Sequence, residues 1–334
     1  MQTNLAVRSL LNKKIRILGN LNIDLIIRNI AEMPAWGQEV LGSDYQVFSS
    51  GQATYTASAL AGLKMKPELV GCVGDDGYGS QILNDLENRH VDVSGVQRIR
   101  DGKTGITVAV VRPDGERAFI SDTASLSAFD RTMAASGLDT GTGSSLTCFL
   151  GTFFLPGLSL QDLRFLIRQS RGTGGSTLLD TGWDSGGWPV STVRELRDLL
   201  EDVDYFIPNL DEARALTGES APEKAAEMLL SDGCGTVVIK LGSEGSYLRT
   251  GSAEIHSPAL PAVVFDAVGA GDVYNAGFIF GTLQDWPPEA CMAFGTSLAS
   301  LYIARRTDRF PDFATAADFM NRNTKFTVEG SHDY

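Results

Sequence analysis

The sequence predicts an α/β protein whose mostly parallel central sheet carries helices on both faces, with a small antiparallel β lid added. Three observations predict it. Short apolar, β-branched runs alternate with segments of helical period along most of the 334 residues. Two stretches break that rhythm with paired strand-like runs around Pro/Gly turns. Late in the chain, a glycine-rich turn opens a long segment of helical period.

Taken in order, residues 15–18, 68–73, 146–154, 177–180, 205–207 and 236–240 read as strands. Most are bare apolar runs, the pattern of strands whose two faces are both covered. Residues 55–63, 80–89, 160–168 and 192–201 repeat apolar side chains at helical spacing, with Val193, Leu196, Leu199 and Leu200 the clearest set. Strand and helix in alternation make βαβ units and a parallel sheet. The exceptions are residues 24–50, turning at Met33-Pro34-Ala35-Trp36-Gly37, and 105–121, turning at Pro113-Asp114-Gly115. Both read as antiparallel hairpins with no helix of their own, so they are expected to pair as a small sheet projecting from the body. Beyond Gly271 the chain reads as helical, with later helices at 290–304 and 314–321 and a polar, frayed last dozen residues. The expected organisation is one large α/β domain over 1–334 carrying the two lid insertions.

Composition narrows the function. A net charge of −13 and a pI near 4.7 disfavour sequence-independent nucleic-acid binding, which needs cations against phosphates. Cys72, Cys148, Cys234 and Cys291 are scattered, and the histidines are His90, His256 and His332, so neither a disulfide framework nor a zinc site is expected. The N-terminal apolar stretch is interrupted by Asn20, Asn22 and Asp24, which denies it a signal-peptide core. The uncharged stretch 140–161 carries Pro156 and a Gly/Ser/Thr-rich first half, so it reads as loop, strand and turn. These features predict a cytoplasmic protein with no membrane role.

The strongest chemical signal is Asp266-Ala267-Val268-Gly269-Ala270-Gly271-Asp272, followed by Val273-Tyr274-Asn275-Ala276-Gly277-Phe278. A glycine turn at a helix start offers backbone N–H groups and the positive end of the dipole, which suits a phosphate. Asp272 at that point is placed either to accept a proton from an attacking hydroxyl or simply to complement its own helix. Asn209 after Pro208, with Glu212 three residues on, reads equally as a helix capping box and as oxygen donors for a hard cation. No GxGxxG follows the first strand and no GxxxxGK[ST] occurs, which argues against a dinucleotide oxidoreductase and a Walker-type site.

Gly269-Ala270-Gly271-Asp272 with Ala276-Gly277-Phe278 resembles the C-terminal signature of the ribokinase, or phosphofructokinase-B, family of carbohydrate kinases. Residues 17–24, 71–79, Pro208-Asn209-Leu210-Asp211-Glu212 and 238–245 resemble further segments of that family in the same order. The resemblance implies a ribokinase-like fold and transfer of the ATP γ-phosphoryl group to a hydroxyl of a sugar, sugar acid or nucleoside. It implies Asp272 as base, with Gly269, Ala270 and Gly271 as anion hole. Asn22, Asp24, Gly51, Gln52 and Tyr55 would bind substrate, and Leu241, Gly242 and Gly245 would border the nucleotide. Asn209 and Glu212 would hold Mg²⁺ through water, Asp266 would lie near a monovalent cation such as K⁺, and a homodimer through the lid is implied by analogy.

The match departs from the family in two places, of which Ala267 for the usual Thr of the second signature is the milder. The family's N-terminal signature, usually Gly-Gly-x-x-x-Asn-x-Ala, stands here as Ser50-Gly51-Gln52-Ala53-Thr54-Tyr55-Thr56-Ala57. Tyr55 therefore either narrows the substrate pocket or serves as a core aromatic at a helix start. A catalytically silent, kinase-like binder is the competing reading that this departure keeps open. Arg112 and Arg117 flank the second lid turn, and each reads as a contact for an acidic substrate or as a solvated edge residue. Residues 180–188, rich in Gly and Trp, form a loop with no assignable role.

Overall fold

The computed structural model describes residues 3–8, 13–114, 116–138, 145–304 and 310–329. Among these residues, a nine-stranded sheet runs in the spatial order β14 (Glu254–Ser257), β13 (Ser246–Thr250), β12 (Thr236–Lys240), β11 (Tyr205–Phe206), β10 (Ser176–Asp180), β9 (Leu146–Leu150), β2 (Ile15–Gly19), β5 (Glu68–Gly74), β6 (Asp92–Ile99). From β12 to β6 every pairing is parallel, and β13 and β14 extend the edge antiparallel.

Neighbouring residues on one strand enter opposite cores, as the bare apolar runs require. Ile17, Cys148 and Val238 pack with helices α1 (Gln52–Gly62), α2 (Gly77–Asn88), α8 (Ala270–Leu283), α9 (Pro288–Ile303) and α10 (Phe313–Asn323). Leu18, Phe149 and Val237 pack with α3 (Arg131–Leu138), α4 (Leu160–Gly172), α5 (Val190–Leu199), α6 (Leu210–Thr217) and α7 (Pro222–Ser231). Helices α8 and α9 approach closely, because a Cβ at Gly277 would lie 2.7 Å from the Gly295 Cα. No helix among the described residues is long and apolar enough to cross a membrane.

Both hairpins form. Strands β3 (Asn22–Arg28) and β4 (Asp44–Ser50) pair antiparallel, as do β7 (Ile106–Val111) and β8 (Arg117–Asp122). The two hairpins join through a parallel β3·β7 contact, so this four-stranded sheet is mixed and not purely antiparallel. Sequence spacing fixes the direction of strands within a hairpin, not between hairpins. Two further readings are corrected, and of the two offered for Arg112 the solvated edge residue is the one seen. The strand expected over 146–154 stops at Leu150, because Gly151 takes a left-handed conformation that turns the chain into a 3₁₀ turn at Thr152–Phe154. The last dozen residues are not all frayed: β15 (Phe326–Glu329) pairs in parallel with β1 (Thr3–Ala6). Arg112 bonds Asp114 at 2.6 Å within its own turn, so it does not enter a pocket. Gly115 of that turn and most of the Gly/Ser/Thr-rich half of 140–161 lie outside the described residues.

Candidate active site

The strand order reverses between β9 and β2: the chain runs outward from β2 through β5 to β6, and the other way from β9 through β12. In open α/β sheets the crevice beyond the strand C-termini at such a reversal is where ligands bind. The residues that follow those C-termini are polar. Asn20 follows β2, Asp180 ends β10, Asn209 lies just beyond β11 and Lys240 ends β12, bridged in parallel to Asn209.

Helix α8 brings its N-terminus to this row. Gly269 precedes the helix at φ 77°, a left-handed turn that glycine adopts without strain. A side chain there would also meet the Tyr55 ring at 3.0 Å. Two residues past the helix start lies Asp272, 8% exposed, its backbone carbonyl accepting a hydrogen bond from the Thr56 hydroxyl at 3.1 Å. Burial pushes its carboxyl up to about 8, and the nearby Asp180 adds to that, while Lys240 and a hydrogen bond from Gln52 oppose it.

Beneath the turn is a buried network that the sequence alone did not disclose. Asp180 is fully buried and accepts hydrogen bonds from Lys240 Nζ, Asn275 Nδ2 (2.7 Å) and Gln52 Nε2 (3.4 Å). Burial works against the Lys240 charge, yet Asp180, Glu212 and Asp272 together raise its pKa. Glu212 is pushed up to about 7, first by burial and then by Asp180, with Lys240 opposing. One ammonium thus serves three buried carboxylates. The signal available in the sequence was a charged residue ending each of two apolar strands, Asp180 and Lys240.

Asn209 and Glu212 form the capping box of α6. Asn209 Oδ1 accepts the Glu212 N–H at 2.9 Å and Glu212 Oε2 accepts the Asn209 N–H at 2.8 Å. The next turn is closed by the Leu241 N–H bonding the Gly245 carbonyl at 2.8 Å, with Gly242 and Gly245 both at positive φ.

On the other side, hydrogen bonds run along the start of β3. Asn20 Nδ2 donates to Asn22 Oδ1 and Asn22 Nδ2 to Asp24 Oδ1, each at 3.0 Å. Burial raises the Asp24 carboxyl to about 6 against hydrogen bonds from Ser50, Asn22 and Tyr55. Gly51 has φ 107°, and a Cβ there would lie 2.2 Å from the Asn20 carbonyl oxygen, so only glycine lets β4 turn into α1 here. The Gln52 N–H bonds Asn20 Oδ1 at 3.1 Å, while Gln52 Oε1 is buried with no hydrogen-bond partner among the described residues. Tyr55 is 8% exposed and packs edge-on to Tyr302, as a core aromatic does, and its hydroxyl reaches Asp24.

Asp266 is engaged by the protein itself, through Arg28 Nη2 at 3.1 Å and the Val268 N–H at 2.9 Å. Beyond Asp180, the 180–188 loop turns on Asp184, which accepts from the Gly186 and Trp188 N–H groups, and Trp188 packs edge-on to Trp183 at 5.6 Å and to Phe153 at 5.4 Å. The geometry therefore gathers Asp272, Gly269, Ala270, Gly271, Gln52, Asn209, Glu212 and the Leu241 turn around one crevice. Asn22, Asp24 and Tyr55 lie along its β3 side.

Comparisons with known proteins agree with this fold. Residues 12–314 match the profile of the pfkB family carbohydrate kinase. A 2-dehydro-3-deoxygluconokinase of Bacillus subtilis is 30% identical over 276 residues, covering 78% of this chain and 83% of that protein. A ribokinase of Haemophilus influenzae is 24% identical over 302 residues, 89% of this chain and 94% of that one. The solved structure of Arabidopsis thaliana ribokinase complexed with ribose and ATP superposes with a TM-score of 0.80 at 22% identity, covering 92% of this chain and 98% of that chain. With a family profile spanning most of its length and the fold and glycine turn in place, the chain belongs to the pfkB family of carbohydrate kinases.

Proposed function

We propose that the protein transfers the γ-phosphoryl group of ATP to a hydroxyl of a small sugar or sugar acid. The observation that carries this reading is Asp272, buried at the N-terminus of α8 within reach of Gln52 and beside the Lys240–Asp180 pair. Phosphoryl transfer needs mainly positioning and charge stabilisation, and this crevice supplies both. The N–H groups of the Gly269, Ala270 and Gly271 turn hold the phosphoryl oxygens, and the turn at Leu241, Gly242 and Gly245 lets backbone approach the nucleotide. Asp272 takes the proton of the substrate hydroxyl as its oxygen bonds the γ-phosphorus and the β–γ bridging oxygen leaves with ADP. Oxygen donors on Asn209 and Glu212 suit Mg²⁺ held through water, and the cation would offset negative charge on the phosphates.

In this reading Asn22 and Asp24 meet sugar hydroxyls, and Gln52 Oε1, buried without a partner among the described residues, accepts a further one. Tyr55 fills the place of the family's asparagine, which favours a compact acceptor over one with a bulky base. The 2-dehydro-3-deoxygluconokinase relative supports a sugar acid as one such acceptor. ADP release with Mg²⁺-ATP against hexoses, pentoses, sugar acids, sugar phosphates and nucleosides tests the proposal. A signal with a sugar or sugar acid that disappears in Asp272→Asn supports it; a nucleoside-only signal moves the substrate class, and silence throughout favours a binding protein.

The four-stranded sheet is read as a lid that closes over the sugar and excludes water. One of its faces exposes Tyr45 and Ile120, which supports pairing of two copies through it. Light scattering at twice the 35.8 kDa chain mass is the expected result, and a monomer at micromolar concentration would refute it.

A further inference from the structure

We propose that Arg28 does, from the lid, what a monovalent cation at Asp266 would do, so that the reaction proceeds without one. This rests on the kinase reading above. The family resemblance places such an ion near Asp266, but the carboxylate does not fit the role. Its Oδ2 accepts a hydrogen bond from Arg28 Nη2 at 3.1 Å, and its Oδ1 accepts the Val268 N–H at 2.9 Å. Both side chains are 19% exposed, so the pair is shielded from most of the solvent. An ion entering here would bring a second positive charge beside the guanidinium, against a single carboxylate each of whose oxygens already accepts a hydrogen bond.

The guanidinium is itself held in place. Arg28 Nη1 donates to Gln46 Oε1 at 2.7 Å and lies 3.5 Å from Asp44 Oδ2, both on the neighbouring strand β4. On the far side, the N–H groups of Phe265 and Asp266 both bond the Ile303 carbonyl, at 2.8 and 3.2 Å, which anchors the segment to the end of α9. Asp266 thus transmits two constraints to the turn that begins α8: one through its backbone from α9, the other through its side chain from β3. Arg28 is a positioning residue, remote from the reacting atoms, that couples the lid strand to the N–H groups of residues 269–271.

The test compares KCl, NaCl and tetramethylammonium chloride at equal ionic strength, with two readouts. Turnover on the best acceptor of the panel is expected to agree within about twofold across the salts, and the Mg²⁺-ATP-induced thermal shift to agree as well. Arg28→Gln is expected to lose about tenfold or more in kcat, with partial recovery in K⁺ or in millimolar guanidinium, while Arg28→Lys loses less. Activation of the unaltered protein by K⁺ of about tenfold or more, or a thermal shift that requires K⁺, would overturn the proposal. If no acceptor is turned over, the kinase reading fails, and the thermal shift still decides whether nucleotide binding needs the ion. If Arg28→Gln does not fold, the salt series on the unaltered protein decides.

Discussion

Asp272→Asn is expected to lower kcat by at least about a thousandfold while ATP affinity stays within a few-fold, the pattern of an interaction made only in the transition state. Asparagine keeps the shape of the side chain and its place at the start of α8, so nucleotide binding at the helix N-terminus survives. What is lost is the acceptor for the hydroxyl proton. The pH dependence follows from the same group: with its carboxyl pushed up to about 8, kcat/KM should rise about tenfold per pH unit below that value and level off above it. Stability should move the opposite way. A carboxyl that binds its proton more tightly folded than unfolded weakens the fold as pH rises from the ordinary value of 3.8 toward about 8. Asp272→Asn, neutral throughout, should therefore melt higher than the unaltered protein at pH 8 to 9, with the difference vanishing near pH 4. Calorimetry and initial rates check both parts; unchanged turnover would remove Asp272 as base, and a lower melt at pH 9 would remove the account of its burial.

The parts legible in the sequence were those that local pattern determines. Helix cores lie where the apolar period put them, and the two-sided burial of β2, β9 and β12 follows from runs such as Ile15-Arg16-Ile17-Leu18 and Thr236-Val237-Val238-Ile239. Strands at the margin were harder. β6 is interrupted by Gly95 and only half covered, and the short edge strands β13 and β14 alternate with polar residues. β1 becomes a strand only by meeting β15 from the other end of the chain. For the site, motifs pointed to the glycine turn, Asp272 and the Asn209–Glu212 pair. The network beneath them is another matter: Gln52, Asp180, Lys240 and Asn275 converge from four separate elements, with 60 residues between Asp180 and Lys240 and 95 between Asp180 and Asn275. No local pattern marks such a meeting: the parallel register of β10, β11 and β12 brings Asp180 and Lys240 together, and α1 and α8 add Gln52 and Asn275.

That network makes the second large prediction. Lys240→Met should destabilise the fold by about 3–5 kcal/mol, because Asp180, with no exposed surface, would lose its counter-charge. For a chain of this size that corresponds to a melting temperature lower by roughly 4–7 °C. Function should change in a separate way. Lys240 opposes the rise in the carboxyl pKa values of both Asp272 and Glu212, so its removal should push the rising limb of kcat/KM to higher pH. A merely structural lysine would lower the melt without moving that limb. The double variant Asp180→Asn, Lys240→Met separates the two effects. Deleting both charges should recover much of the stability lost in the single variant, since a buried pair replaced by neutral groups is often near neutral in cost. Asp272 loses its repulsive neighbour and its attractive one together, so the pH limb should return toward that of the unaltered protein. If Lys240→Met melts where the unaltered protein does, the pair is not holding this end of the sheet together. If the melt falls but the pH limb stays, Lys240 supports the fold alone and the proton affinity of the base is set by burial, the first of its causes.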